Sequence, residues 1–154
     1  MNNVHLEPIV HSNWRQALQI RSRPEQVEFV TEYEPVALQI LAKSYIGVGG
    51  LKWEPFAIYD GDTMAGVVAI AHSGVECQVF NLLIDQSFQG RGYGRAAMNA
   101  IIDHIRRKLP DCNELTLTSH PRNTRAQNLY RSVGFVATGK EREGGPIWLF
   151  DLDD

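Results

Sequence analysis

Apolar and polar residues alternate along VHLEPI, residues 4–9, a period of two that predicts a first strand. HSNWRQALQI then takes helical spacing, with Ser12 or Asn13 placed to cap it. RPEQVEFV and EPVALQILAKSY predict two further short helices, with Pro24 and Pro35 tolerated in their first turns. IGVGG breaks the pattern and predicts a loop. WEPFAIY and TMAGVVAIAH are apolar enough for buried strands, joined around the hairpin signal Asp60-Gly61. Ser73-Gly74 turns the chain into VECQVFNLLI, the fourth predicted strand.

After a glycine cluster, Met98, Ile101, Ile102, Ile105 and Leu109 form one helical stripe that Pro110 closes. ELTLTS predicts a strand, and NTRAQNLYRSVG a helix with Ala126, Leu129, Tyr130 and Val133 inward and Gly134 as its stop. FVATGKE and PIWLFDL make a final hairpin. The expected class is α/β (α+β): a mixed, mostly antiparallel sheet with helices on both faces, in one domain spanning 1–154.

Composition narrows the function. The 154 residues carry a net charge of −3, which argues against nucleic acid as a partner. No apolar run reaches membrane-spanning length, and the first twenty residues lack the basic start and apolar block of a secretory signal, so a cytoplasmic location is expected. Cys77 and Cys112 are too few for a disulfide framework and read as buried thiols. His5, His11, His72, His104 and His120 show no paired ligand spacing, so no metal is expected. Arg106 to Lys108 close a helix, where cations favour the dipole.

The informative stretch is Gln89-Gly90-Arg91-Gly92-Tyr93-Gly94-Arg95, between a strand end and a helix start. A dinucleotide fingerprint from Gly90 would need glycine where Arg95 stands, and no Gly-Lys-Ser/Thr exists for a Walker loop. What remains is a bare backbone whose N–H groups, with a helix N-terminus behind them, suit a pyrophosphate. The competing reading is a tight strand-to-helix turn and nothing more.

Gln89-x-x-Gly92-x-Gly94 resembles the acetyl-coenzyme A pyrophosphate motif of the GNAT N-acetyltransferases, and NTRAQNLYRSVGF resembles their second signature through Asn123, Ala126, Leu129-Tyr130 and Gly134-Phe135. The resemblance implies a splay between the fourth and fifth strands, with the pantetheine arm of acetyl-CoA on the backbone of Leu82, Leu83 and Ile84. It implies a diphosphate held by Gln89, Gly90, Arg91, Gly92, Tyr93, Gly94 and Arg95, and cofactor contacts from Asn123 and Tyr130. Tyr130 takes the place of the family's general acid, which protonates the leaving thiolate; a core tyrosine on the same stripe would look identical in sequence. The family's fourth-strand glutamate has no counterpart, since Phe80 and Asn81 stand at the matching positions and Glu76 lies at the far end of that strand. Ordered water, His72 or a glutamate of the first helices is left to take the proton.

The N-terminal half resembles the bacterial spermine/spermidine (diamine) acetyltransferases. Glu25, Glu28 and Glu32 share one face of a short helix, with Glu34 behind, so Glu28, Glu32 and Glu34 are candidate contacts for a polyamine; a solvated acidic surface is the plainer reading. The expected activity is acetyl transfer to a primary amine of a small molecule by direct attack, without a cysteine nucleophile. Alternatives are another amine, such as an aminoglycoside, an amino acid or a protein N-terminus, and a non-catalytic acyl-CoA-binding module. A homodimer would be unsurprising for the fold.

Overall fold

The strands of the computed structural model, which describes residues 3–30 and 34–154, are β1 (Val4–Pro8), β2 (Lys52–Asp60), β3 (Thr63–Ser73), β4 (Glu76–Ile84), β5 (Glu114–Thr118), β6 (Val136–Arg142) and β7 (Gly145–Asp151). They form one sheet in the order β1-β2-β3-β4-β5-β7-β6. Every neighbouring pair is antiparallel except β4 and β5, which run parallel.

The helices are α1 (Trp14–Ala17), α2 (Val27–Val30), α3 (Val36–Ile46), α4 (Tyr93–Lys108) and α5 (Thr124–Val133). Both faces of the sheet are covered. On one, Met98, Ile101, Ile102 and Ile105 of α4 bury against Phe56, Ile58, Val68 and Ile70. On the other, Ala17 of α1 and Val36, Ala37 and Ile40 of α3 bury against Ala57, Val67, Ala69 and Leu83. Alternate residues of β2 and β3 therefore point into different cores, which is why both strands read as continuous apolar runs. Each buried Val, Leu, Ile, Phe or Met among them contributes about 1.5–3 kcal/mol.

The first helix is shorter than its periodicity predicts. Asn13 precedes α1 but makes no cap bond to it; its Oδ1 accepts from the Val10 N–H at 2.7 Å and its Nδ2 donates to the Pro8 carbonyl at 3.1 Å. Downstream, the Arg21 N–H is drawn to Asp85 Oδ1 at 2.9 Å, so the chain leaves the helical path to meet the end of β4.

Two local features shape the sheet centre. The β4–β5 ladder pairs only Glu76 with Glu114, Cys77 with Leu115 and Gln78 with Thr116, after which the strands part. On its other edge β4 carries a bulge: Leu83 faces Val67 and Phe80 faces Ala69, so Asn81 and Leu82 share the space opposite Val68. Asn81 takes φ of 55°, a left-handed conformation that asparagine accepts more readily than most residues.

Candidate active site

Where β4 and β5 part, a cleft of about 860 Å³ opens between them, walled by both strands, by the start of α4, by α5 and by α2 and α3. Beyond Gln78 the edge of β4 facing β5 has no strand to pair with. Leu82, Leu83 and Ile84 line the cleft. A backbone edge so exposed can take an extended ligand as a strand substitute.

At one end lies the glycine loop. Gly90 (φ 79°) and Gly92 (φ 87°) hold left-handed conformations that a side chain would strain. Gly94 is bare for another reason: a Cβ there would sit 3.1 Å from Leu129 Cδ2, so this glycine lets α4 and α5 approach. Among the described residues, the N–H groups from Gln89 to Arg95 make no intramolecular hydrogen bond. They include the orphan donors of α4's first turn, and this end of the helix favours negative charge.

Side chains around the loop are divided. Gln89, Gly90, Gly92, Tyr93, Gly94 and Arg95 line the cleft. Gln89 Nε2 donates to the Ile84 carbonyl at 2.9 Å, while its Oε1 is buried without a partner. Tyr93 turns its hydroxyl away, donating to Asp60 Oδ2 at 2.6 Å; that bond raises the Tyr93 pKa and lowers that of Asp60. Arg91 is absent from the cleft wall: its guanidinium donates to the Ser87 carbonyl at 2.6 Å and lies over Phe88.

Across the cleft, Asn123 caps α5, its Oδ1 accepting the Ala126 N–H at 3.2 Å, and it also lines the wall. Tyr130 lines the cleft from the next turns of α5, its ring packed near Phe135 and Trp148. Burial pushes its phenol up to about 12, and no described residue hydrogen-bonds its hydroxyl.

The opposite end is bridged. Glu28 of α2 meets Arg122 of the β5–α5 loop at 2.9 Å, and the tilted rings of Phe29 and His120 lie 4.9 Å apart between centroids. Of the acidic face, Glu28 lines the cleft, Glu25 and Glu34 are exposed away from it, and Glu32 lies outside the described residues. A cation stands on the same wall: Lys43 donates to Asn81 Oδ1 at 3.3 Å and lies over the stacked rings of Trp53 and Phe80. Sequence periodicity gave no hint of this, because α3 and β4 are far apart in the chain.

The candidate bases divide: Glu28 of the first helices lines the cleft and His72 does not. With His104, His72 clamps Glu54, at 3.0 and 3.5 Å. The His104 hydrogen bond is the largest influence holding the Glu54 carboxyl below its usual range, although His72 makes the shorter contact. Glu76 is engaged by Thr116 and Arg142 outside the wall. His120 lines the cleft, but its Nδ1 accepts the Arg122 N–H at 3.1 Å, so the neutral ring carries its proton on Nε2. Glu28 and Glu143 are the carboxylates on the wall among the described residues. Cys77 and Cys112 are buried away from the wall, and burial beside Cys112 pushes the Cys77 thiol up, which suits inert thiols.

The chain is similar to known proteins. Over 60 residues the chain is 38% identical to [ribosomal protein bS18]-alanine N-acetyltransferase of Haemophilus ducreyi, a match covering 39% of this chain and 40% of that protein. Over 110 residues it is 30% identical to spermine/spermidine N(1)-acetyltransferase of Bacillus subtilis, covering 70% of this chain and 62% of that one. The matches thus span less than two thirds of these relatives' own lengths. Spermidine N-acetyltransferase from Vibrio cholerae, solved in complex with CoA and spermine, superposes with a TM-score of 0.76 over 99% of this chain and 98% of that chain; at 17% identity this is a likeness of fold. The family model for acetyltransferases (GNAT) matches residues 14–135, which hold the glycine loop, the parted strands and Tyr130, and the chain belongs to that family.

Proposed function

We propose that the protein transfers the acetyl group of acetyl-CoA to a primary amine by direct attack. The observation that carries this reading is the row of unpartnered N–H groups from Gln89 to Arg95, opening on a cleft that runs along the free edge of β4 to the Tyr130 hydroxyl. An anionic diphosphate fits the first, an extended pantetheine arm the second, and a sulfur leaving group the third.

In this reading Leu82, Leu83 and Ile84 hold the arm through their backbone, and the bulge at Asn81 turns the strand so that the thioester meets the amine. The amine attacks the carbonyl carbon, and Tyr130 donates its proton to the departing thiolate. A phenol at about 12 is a weaker acid than a free thiol. The same burial raises the basicity of a thiolate beside it, so the pair stays matched within the cleft. Glu28 and Glu143 are the groups on the wall that can relay the amine's proton through water.

Two acceptor classes have support. A polyamine is favoured by Glu28 at the mouth, where Arg122 now occupies the carboxylate as a cationic substrate would. An acceptor with a carbonyl or carboxylate near its amine, such as a peptide N-terminus, is favoured by Lys43 on the wall. The deciding experiment is thiol release from acetyl-CoA with spermidine, an aminoglycoside and an alanine-terminated peptide. The amine that turns over names the class. CoA binding without thiol release from any of them would replace the enzyme with an acyl-CoA-binding module.

A further inference from the structure

Three arginines surround the glycine loop, and they are not equivalent. Arg91 spends its guanidinium on the Ser87 carbonyl and the face of Phe88, outside the cleft. Arg95 lines the cleft but donates Nη1 to the Ser132 carbonyl at 3.3 Å, tying α4 to α5. Arg125 also lines the cleft, from the first turn of α5, and no described residue hydrogen-bonds it or pairs with its charge. Its Nη2 reaches within 3.9 Å of the position a Cβ would take on Gly90.

The place of Arg125 is electrostatically awkward for an empty cleft. A cation in the first turn of a helix opposes the helix dipole, and α5 has no acidic residue in that turn to offset it. An anion between the glycine loop and α5 would reverse the sign of this interaction. It would face the N-terminus of α4, the N-terminus of α5 and a forked guanidinium together.

We infer that Arg125 grips a phosphate of acetyl-CoA from the α5 side of the cleft, supplying the charge that Arg91 and Arg95 spend on the protein itself. The inference rests on the proposed function and adds a cofactor-binding residue outside the glycine loop. Acetyl-CoA carries two sources of this chemistry, the diphosphate and the 3′-phosphate of the ribose, and both lie at the end of the molecule remote from the thioester.

The test is direct binding by calorimetry, using CoA, 3′-dephospho-CoA and pantetheine as probes against wild type, Arg125→Ala and, as a control outside the cleft, Arg107→Ala. Arg125 is exposed, so its truncation leaves the melting temperature unchanged. Arg125→Ala raises the Kd for CoA about ten- to a hundredfold, the effect of losing a charge-assisted contact; Arg107→Ala, which removes the same charge outside the cleft, changes it by less than about twofold. A loss shared by CoA and dephospho-CoA assigns Arg125 to the diphosphate, and a loss confined to CoA assigns it to the 3′-phosphate. An unchanged Kd for CoA in Arg125→Ala overturns the inference while leaving the acetyltransferase reading intact. An equal loss on pantetheine also overturns it, since that probe has no phosphate. Wild type that binds no CoA overturns both.

Discussion

The amide oxygen of Asn81 accepts a hydrogen bond from Lys43 Nζ at 3.3 Å, tying α3 to the one residue of β4 that leaves the strand conformation. The contact joins α3 to the bulge of β4 at the cleft. Replacing Asn81 with valine removes the acceptor and puts a β-branched residue at φ of 55°. The expected cost is about 1–2 kcal/mol, read as a lower urea midpoint, with turnover reduced. Asn81→Gly should keep most of the stability and lose the Lys43 contact, separating the backbone role from the side-chain role.

Tyr130→Phe keeps the ring against Phe135 and Trp148 and removes the hydroxyl. If that hydroxyl protonates the thiolate, kcat falls at least about tenfold while the Kd for CoA holds. An unchanged kcat would reduce Tyr130 to a core residue.

The pH dependence follows from the sign of the Tyr130 shift. The phenol acts when protonated, and its pKa is raised to about 12, so kcat/KM shows no decline from this group below about pH 11. Stability behaves consistently. The unfolded phenol ionises near ~10 and the folded one near 12, so the folded state is unaffected below ~10 and loses stability between the two values. Tyr130→Phe should flatten that alkaline loss in a melting series.

Gly66 tests the sheet beneath the cleft. A Cβ on this buried residue would stand 2.3 Å from the Leu83 carbonyl oxygen, a backbone atom that cannot swing aside. Gly66→Ala should therefore cost about 1–3 kcal/mol or more, and by displacing β4 at Leu83 it should weaken CoA binding as well. A variant with wild-type stability would show that the strands can part there without penalty.

The Glu28–Arg122 bridge separates the acceptor classes. Both side chains are largely exposed, so the pair contributes about 0–1 kcal/mol, and Arg122→Ala should leave the melting temperature nearly unchanged. If Glu28 contacts a polyamine, Arg122→Ala lowers the KM for spermidine by freeing the carboxylate, and Glu28→Gln raises it. No change in either variant would leave the polyamine reading without its main support.

Strand and helix order were legible because periodicity is local. The α4 stripe from Met98 to Ile105 and the hairpin at Asp60-Gly61 are each specified by residues a few positions apart. The helix after β1 was overread for the same reason: its spacing extends further than α1 does, and the Asp85 that holds the Arg21 N–H just beyond it lies far along the chain.

The site divides along the same line. The glycine loop, Asn123 and Tyr130 stood in contiguous motifs, and apart from Arg91 these residues line the cleft. Charges were harder to place. Arg91 and Arg125 both stand beside motif residues, yet one guanidinium turns to the Ser87 carbonyl and the other to the cleft. A long side chain has many rotamers of similar intrinsic energy, and neighbours distant in sequence choose among them.

The sequence by itself determined the elements, their order and the bare backbone of the glycine loop, because propensity, hydrophobic period and the needs of φ act within a few residues. Only the tertiary structure decided what meets across the cleft: Lys43 with Asn81, Glu28 with Arg122, His72 with Glu54 rather than with a substrate, and Arg125 with the space above Gly90. Those pairings depend on where β4 and β5 part and on how closely α5 approaches α4 at Gly94. Both are outcomes of packing over the whole sheet, which no short stretch of the chain encodes.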